Sequence, residues 1–74
     1  MVKEQSILVK FENSVRSFRR EKEWTREDLA HKANLHRTYI VMIERTEKKI
    51  TLLNIEKIAS ALGVTVKELF YGQV

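Results

Sequence analysis

The sequence predicts an all-α fold, a compact bundle of five helices that forms a single domain over residues 1–74. A chain of 74 residues has room for one small domain. It contains no proline and two glycines, a composition that disfavours a turn-rich all-β fold and favours helices joined by short loops. Its apolar residues recur at spacings of three and four, the period of helices that bury one face.

The composition also excludes several classes of function. There is no cysteine, so disulfides, zinc–thiolate sites and cysteine nucleophiles are excluded. His31 and His36 have no carboxylate at metal-binding spacing, and no serine or carboxylate pair has an evident base partner. We therefore expect no metal, no cofactor and no enzymatic activity.

The chain shows no sign of membrane targeting. No apolar run approaches the roughly 18 residues that a membrane-spanning helix requires. The first residues, with Lys3, Glu4 and Gln5, do not resemble a signal peptide. We therefore expect a cytoplasmic protein without a membrane partner.

The excess positive charge lies in the middle of the chain. The formal net charge is +4, and residues 16–49 carry all of it, with ten Lys and Arg against six Asp and Glu. The segments on either side are electrically balanced. A basic region of this kind is typical of a protein that binds the phosphate backbone of a nucleic acid. The alternative is a solvated surface of mixed charge.

The first helix is predicted over about residues 5–22. Its apolar stripe is Ile7, Phe11, Val15 and Phe18, at spacings of four, four and three. By the same argument, the spacing places the large aromatic residues in the core, namely Phe11, Phe18, Trp24 and Phe70.

The two middle helices are predicted to be short. Thr25 and Asp28 have the spacing of a capping box at the start of a helix over about 25–33. Asn34 tolerates the left-handed conformation that a sharp turn requires. The next helix is predicted over 36–45, with Ile40 and Ile43 facing inward.

Two helices follow the lysine-containing loop after this segment. Thr51 opens the fourth helix and Gly63 ends it. Thr65 and Glu68 form a second capping-box pattern, which opens the fifth helix. The buried residues of the fourth helix are expected to be Ile55, Ile58, Ala59 and Leu62, and those of the fifth Val66, Leu69 and Phe70. Residues 71–74 are expected to form a tail.

Residues 25–45 have the features of a helix-turn-helix unit. Ala30 is small enough to let the two helices approach, Asn34 provides the turn, and Ile40 packs back into the angle between the helices. The outer face of the second helix of this unit, residues 36–45, is thereby exposed. A helix of this size fits the major groove of DNA.

Residues 11–70 resemble the helix-turn-helix domain of the lambda-repressor/Cro superfamily. Four segments carry the resemblance, Trp24-Thr25-Arg26-Glu27-Asp28-Leu29-Ala30, Leu35-His36-Arg37-Thr38-Tyr39-Ile40, Ile43-Glu44-Arg45 and Ala61-Leu62-Gly63-Val64. The second segment, together with the short chain, is most similar to the controller proteins of bacterial restriction–modification systems.

The resemblance implies a transcription regulator that binds a near-palindromic operator in double-stranded DNA as a homodimer. Controller proteins activate their own promoter at low occupancy and repress it at high occupancy, so the resemblance also implies RNA polymerase as a partner. The resemblance places such a protein in the bacterial cytoplasm, on the nucleoid when DNA is bound. Two alternatives are a phage-type repressor and an antitoxin-like module that binds a protein partner. The helix predicted over residues 36–45 has a polar and basic outer face, which favours DNA over a protein partner.

The resemblance also implies roles for individual residues. Arg37 is the first candidate for base readout, because its guanidinium can donate two hydrogen bonds to guanine. The hydroxyl of Thr38 suits a base, a phosphate or its own backbone, and Tyr39 suits DNA contact and packing equally. The candidates for base readout are Arg37, Thr38, Tyr39, Val41 and Met42. The candidates for backbone contact are Arg19, Thr25, Arg26, His36, Lys48, Lys49 and Thr51.

The family pattern further predicts a structural ion pair between Arg19 and Glu44. The chain departs from that pattern at Arg26, where glutamine is usual, and at Glu23 and Thr46, where glycine is usual. Val41 and Met42 also depart from it, because small or polar residues are common at their positions. The fourth and fifth helices, residues 51–70, and the tail remain for dimerisation. The candidate interface residues are Leu52, Leu53, Val66 and Tyr71.

Overall fold

Five helices follow one another along the chain, in the segments where the apolar period predicts them. The computed structural model describes the backbone of residues 3–45 and 50–71, and the side chains from residue 7 onward within these ranges. The helices are α1 (Lys3–Glu21), α2 (Arg26–Ala33), α3 (Arg37–Glu44), α4 (Leu52–Leu62) and α5 (Val66–Tyr71). The all-α prediction is confirmed.

Threonine side chains cap the starts of three helices. Thr25 Oγ1 accepts from the Asp28 N–H at 3.0 Å, and the Thr25 N–H donates to the Asp28 carboxylate at 2.8 Å, which completes the predicted capping box of α2. Thr65 and Glu68 form the same reciprocal pair at the start of α5. Thr51 caps α4 by accepting from the Asn54 N–H at 3.2 Å. Each cap satisfies donors that the first turn of a helix leaves unpaired.

Left-handed residues end the first, second and fourth helices. Asn34 has φ 59° and Gly63 has φ 74°, as their sequence positions predict. Glu23 has φ 58°, although it carries a Cβ and a long side chain. The departure from glycine at this position therefore leaves the shape of the turn in place, and the chain accepts a conformation that costs a non-glycine residue free energy.

The core lies where all five helices meet. α1 packs along α5, and α2 packs against both α3 and α4. The rings of Phe11 and Phe70 stack with their centroids 5.1 Å apart and join α1 to α5. The buried apolar residues are Phe11, Val15, Phe18, Leu29, Ala30, Ala33, Ile40, Ile43, Ile55, Ile58, Ala59, Leu62 and Leu69.

Several detailed predictions were wrong at the margins of the bundle. Ile7 and Val66 are 38% and 39% exposed, because each lies near the end of its helix at the edge of the core. Trp24 and Phe70 are partly buried and pack against the core from outside. Tyr71 belongs to α5, which ends one residue later than the periodicity indicates.

Candidate nucleic-acid interface

The turn between α2 and α3 sets the orientation of α3. Asn34 adopts its left-handed conformation there, and the Leu35 N–H donates to the Ala30 carbonyl at 2.8 Å. Ile40 and Ile43 are buried and fix the inner face of α3 against the bundle. The first turn of α3 is left outside with Arg37 exposed. This is the arrangement that a recognition helix requires.

His36 caps α3 with its side chain. Its Nδ1 accepts a hydrogen bond from the Thr38 N–H at 3.2 Å. Accepting at Nδ1 requires that nitrogen to be unprotonated, so the ring proton of the neutral form lies on Nε2, where it is available as a donor. The hydrogen bond at Thr38 is made by its backbone, and its side chain is exposed.

The other predicted base-readout residues are less accessible. Val41 and Met42 are half-buried. Tyr39 is also half-buried, and its hydroxyl is enclosed without a hydrogen-bond partner among the described residues. Because an enclosed hydroxyl without a partner costs free energy, the ring packing of Tyr39 outweighs its polar end in this conformation.

A basic groove runs beside α3, where α1, α2 and α3 approach one another. We call this feature the basic groove. Its lining includes four arginines and one glutamate, so its formal charge is strongly positive. The residues are Arg19, Arg20, Thr25, Arg26, Glu27, Arg37 and Val41. Five residues predicted to contact bases or phosphate thus share one surface with Arg20, which the sequence did not single out; they are Arg19, Thr25, Arg26, Arg37 and Val41.

The start of α2 already holds an internal anion. Hydrogen bonds from the backbone and side chain of Thr25 hold the pKa of the exposed Asp28 carboxyl below its usual value. The Thr25 hydroxyl is engaged with the Asp28 N–H. Of the polar groups at this corner, the guanidinium of Arg26 is therefore better suited to an external phosphate than the Thr25 side chain.

Glu44 at the end of α3 accepts hydrogen bonds from three arginines, and we call this cluster the Glu44 junction. Arg19 donates from Nε to Oε2 at 2.7 Å and from Nη2 to Oε1 at 3.0 Å. Arg26 donates from Nε to Oε1 at 2.9 Å, and Arg16 donates from Nη2 to the Glu44 carbonyl at 2.8 Å. The junction ties α1, α2 and α3 together at the base of the basic groove.

The junction keeps the Glu44 carboxyl ionised although its side chain is fully buried. Burial alone raises the pKa of this carboxyl, but the hydrogen bonds and charges of Arg19 and Arg26 more than offset that effect and lower it. A buried carboxylate with charged donors on both oxygens satisfies the condition under which buried ion pairs persist.

The predicted pair of Arg19 and Glu44 is thus present in the structure. The other role assigned to Arg19, a phosphate contact, has little surface to support it. Arg19 is 8% exposed, and its Nη1 donates to the Trp24 carbonyl at 2.8 Å. All three of its guanidinium nitrogens bond within the protein, so Arg19 holds the walls of the basic groove and does not project into it.

Sequence reasoning missed two members of the junction. Arg16 lies one helical turn before Arg19 and one turn after Glu12, to which it also forms an ion pair, so its spacing carried a usable signal. The bond from Arg26 to Glu44 joins residues 18 positions apart, and only the packing of α2 against α3 brings them together.

The remaining predicted sites are spread over other parts of the molecule. Thr51 is exposed, and its hydroxyl caps α4. Lys48 and Lys49 lie outside the described residues, as does Thr46. Four large apolar side chains of α4 and α5 are exposed, and we call this set the apolar face. Their exposed fractions are 82% for Leu52, 61% for Leu53, 39% for Val66 and 59% for Tyr71.

Among the described side chains, those of residues 7–45 and 50–71, His, Asp and Glu nowhere gather in a group of three that suits a metal ion. Within the described backbone, residues 3–45 and 50–71, none of the helices combines the length and the apolar character that crossing a membrane demands.

Comparison with known proteins identifies the family of the domain. Residues 15–69 match the model of the HTH_3 helix-turn-helix family. This range includes α2, α3, α4 and the lining residues of the basic groove. The match covers well over half of the chain.

Individual relatives resemble nearly the whole chain. A hypothetical transcription factor of Neisseria meningitidis is 42% identical over 66 residues, covering 89% of this chain and 62% of the relative, so the chain spans less than two thirds of that protein. The control protein C.BamHI of Bacillus amyloliquefaciens is 46% identical over 65 residues, covering 86% of this chain and 80% of the relative.

A solved structure extends the similarity to a complex. The structure described as C.Esp1396I bound to a 19 base pair DNA duplex superposes with a TM-score of 0.78 at 40% identity. The alignment covers 88% of this chain and 87% of that one.

Proposed function

Because the chain belongs to the HTH_3 helix-turn-helix family, we propose that it is a sequence-specific DNA-binding regulator that acts as the controller protein of a restriction–modification system. The observation that carries this proposal is the basic groove beside the exposed start of α3. The similarity to control proteins over more than four fifths of the chain supports the narrower assignment. It also argues against an enzymatic role, since these relatives are regulators.

In this proposal α3 enters the major groove and Arg37 reads a base. Arg37 is the first residue of α3, exposed, and part of the basic groove. Its two-pronged guanidinium matches the O6 and N7 acceptors of guanine, and the neighbouring Val41 is suited to a thymine methyl group. Thr38 and Met42 make up the rest of the proposed reading surface, whereas the enclosed hydroxyl of Tyr39 favours the packing role of that residue.

The residues around α3 are proposed to hold the DNA backbone. Arg26 and Arg20 present guanidinium groups from the wall of the basic groove, and Nε2 of His36 is available from the helix start. Thr25 and Thr51 lie at helix starts, where anions are favoured. Lys48 and Lys49 complete the proposed backbone contacts. Such contacts fix the position of the protein and carry no sequence information.

The apolar face is proposed to join two copies of the chain. Leu52 and Leu53 project at the start of α4 with most of their surface exposed, and Tyr71 lies on α5. Large exposed apolar side chains that lie together mark interaction surfaces. A two-fold dimer places two copies of α3 about 34 Å apart, one turn of DNA, which suits a near-palindromic operator.

The regulatory part of the proposal follows the family. The dimer binds DNA upstream of its own gene in the bacterial cytoplasm, activates transcription at low occupancy and represses it when more sites fill. RNA polymerase is the proposed partner for activation.

A salt-titrated binding assay tests the proposal. The duplex is the DNA immediately upstream of the gene, and a scrambled duplex of the same composition is the control. We expect binding of two chains per site, with a marked preference for the upstream duplex at moderate salt. Equal, steeply salt-dependent binding to both duplexes contradicts sequence-specific recognition of this operator. Binding to neither duplex favours the protein-interaction alternative.

A further inference from the structure

Arg26 is the exposed member of the Glu44 junction. Its Nε donates to Glu44 Oε1 at 2.9 Å, yet 47% of its side chain remains exposed, against 9% for Arg19 and none for Glu44. Arg26 is also the first residue of α2 and lines the basic groove. One end of this contact is therefore fixed in the interior, while the other belongs to the proposed DNA surface.

Arg26 is not needed to neutralise Glu44. Arg19 already donates to both carboxylate oxygens, at 2.7 and 3.0 Å, and balances the charge of Glu44. Arg16, in turn, forms an ion pair with Glu12. Among these five side chains, three arginines face two glutamates, so one positive charge is left over. Arg26 is the most exposed of the three arginines, and it presents its charge at the basic groove.

The bond through Nε also limits the orientations of the guanidinium. Among the described residues, this is the hydrogen bond that Arg26 makes, and it leaves the terminal amino groups for an external acceptor. A free arginine loses much rotamer freedom when it binds a phosphate, whereas an arginine already held at Nε loses less. Lysine has a single ammonium group and cannot bond to Glu44 and a phosphate in the same planar arrangement.

We propose that Glu44 is a positioning residue for DNA binding, which holds Arg26 at the wall of the basic groove with its terminal amino groups directed to one backbone phosphate. Glu44 does not touch DNA in this proposal and acts through Arg26. The inference rests on the proposed function and deepens it, because it explains how an arginine serves where the family usually has glutamine.

Arg20 provides a matched control for the test. It is an exposed arginine that lines the same basic groove, and it makes no hydrogen bond to Glu44. The variants Arg26→Gln, Arg26→Lys, Arg20→Gln and Arg20→Lys are compared with the wild type for operator affinity across a range of salt concentrations. Circular dichroism establishes that each variant is folded.

We expect Arg26→Gln to weaken operator binding about tenfold and to lower the salt slope by about one. Arg26→Lys keeps the charge but loses the planar link to Glu44, so it should lose most of the same affinity. Arg20→Lys should retain most of the affinity that Arg20→Gln loses. If Arg26→Lys binds as tightly as the wild type, or if Arg26→Gln leaves the salt slope unchanged, the positioning role is wrong.

A double-mutant cycle tests Glu44 itself. Glu44→Gln should weaken operator binding in the presence of Arg26 and have a much smaller effect in the Arg26→Gln background. Equal effects in both backgrounds contradict coupling between the two residues. If Glu44→Gln does not fold, the comparison of Arg26 with Arg20 decides alone.

Failure of this inference is distinguishable from failure of the proposed function. A wild-type protein that shows no preference for its upstream DNA contradicts the function itself. A wild-type protein that prefers this DNA, with the lysine variants of Arg26 and Arg20 behaving alike, contradicts only the role of Glu44.

Discussion

The Glu44 junction and the apolar face distribute their side chains in opposite ways. The junction buries an ionised carboxylate among arginines, whereas the apolar face leaves large hydrophobic side chains in water. Either arrangement costs free energy unless something compensates for it. In the junction, the bidentate contact of Arg19 with Glu44 offsets the cost of burying the carboxylate. The apolar face has no such compensation within the monomer, which is why we propose a second copy there.

The two regions are proposed to serve different tasks, DNA binding at the junction and dimerisation at the apolar face. Positive charge is concentrated at the basic groove, where the phosphate backbone is proposed to bind. Exposed apolar surface is concentrated at the apolar face, where a second copy is proposed to pack. Loss of the junction should therefore affect the monomer and its recognition helix. Loss of the apolar face should affect association alone, and variants in each region can show whether this division holds.

The largest effect is expected from Glu44→Ala. Removing this carboxylate leaves Arg19 buried without its partner, which should lower the free energy of unfolding by about 3–5 kcal/mol. Urea unfolding monitored by circular dichroism measures the loss. Glu27→Ala, which removes an exposed carboxylate in the basic groove, should cost less than about 1 kcal/mol. Similar small losses in both variants would show that the junction is not a structural lock.

The second-largest effect is expected in the apolar face. Leu52→Glu should raise the dissociation constant of the dimer roughly 100-fold, about 2.7 kcal/mol, because it places charge in the proposed interface. Acidic residues are favourable in the first turn of a helix, so the monomer should stay folded. Sedimentation equilibrium measures the change. Ser17→Glu on the exposed surface of α1 should leave association unaltered, and a dimer insensitive to Leu52→Glu would place the interface elsewhere.

Acid should weaken the junction and not the apolar face. The pKa of the Glu44 carboxyl is lowered on folding from 4.5, the ordinary value for glutamate. Its ionised form therefore stabilises the native state fully at pH values above 4.5. This contribution is lost as the pH falls from that value through the lowered pKa. Unfolding measured from pH 7 down to pH 3 should therefore show declining stability, and less decline in Glu44→Gln, if that variant folds. An equal decline in both proteins would assign the acid sensitivity to other carboxyls, such as Asp28.

The smallest effect is expected at the turn after α1, outside both regions. Glu23→Gly should raise the free energy of unfolding by about 0.5–1 kcal/mol, because glycine adopts the observed φ of 58° without a steric penalty. Thermal unfolding should shift upward by a few degrees. Glu23→Ala removes the same charge but keeps the Cβ, so it should leave the melting temperature nearly unchanged. If alanine stabilises as much as glycine, charge and not backbone strain is responsible.

Local patterns predicted the helices and their ends well, because caps and turns depend on residues a few positions apart. The reciprocal bonds of Thr25 with Asp28 and the left-handed Asn34 both follow from neighbouring residues. The exposure of Val66 was harder to predict, since it depends on how far α5 overlaps α1. Apolar spacing alone does not measure that overlap.

The candidate site was predictable in its outline and not in its internal contacts. The exposed position of Arg37 follows from the helix-turn-helix pattern, and the pair of Arg19 and Glu44 follows from the family. That Arg26 bonds to Glu44 while it lines the basic groove depends on the angle between α2 and α3. Such an angle is a property of packing and is not written in any short segment.

The central claim, that the exposed start of α3 reads DNA sequence, is tested most directly by Arg37→Ala. Its affinity for the upstream duplex and for the scrambled duplex should be measured beside the wild type at the same salt concentration. We expect a loss of about 1–3 kcal/mol on the upstream duplex and a much smaller loss on the scrambled one. Equal losses on the two duplexes would mean that Arg37 binds the backbone and that α3 does not read the sequence through it.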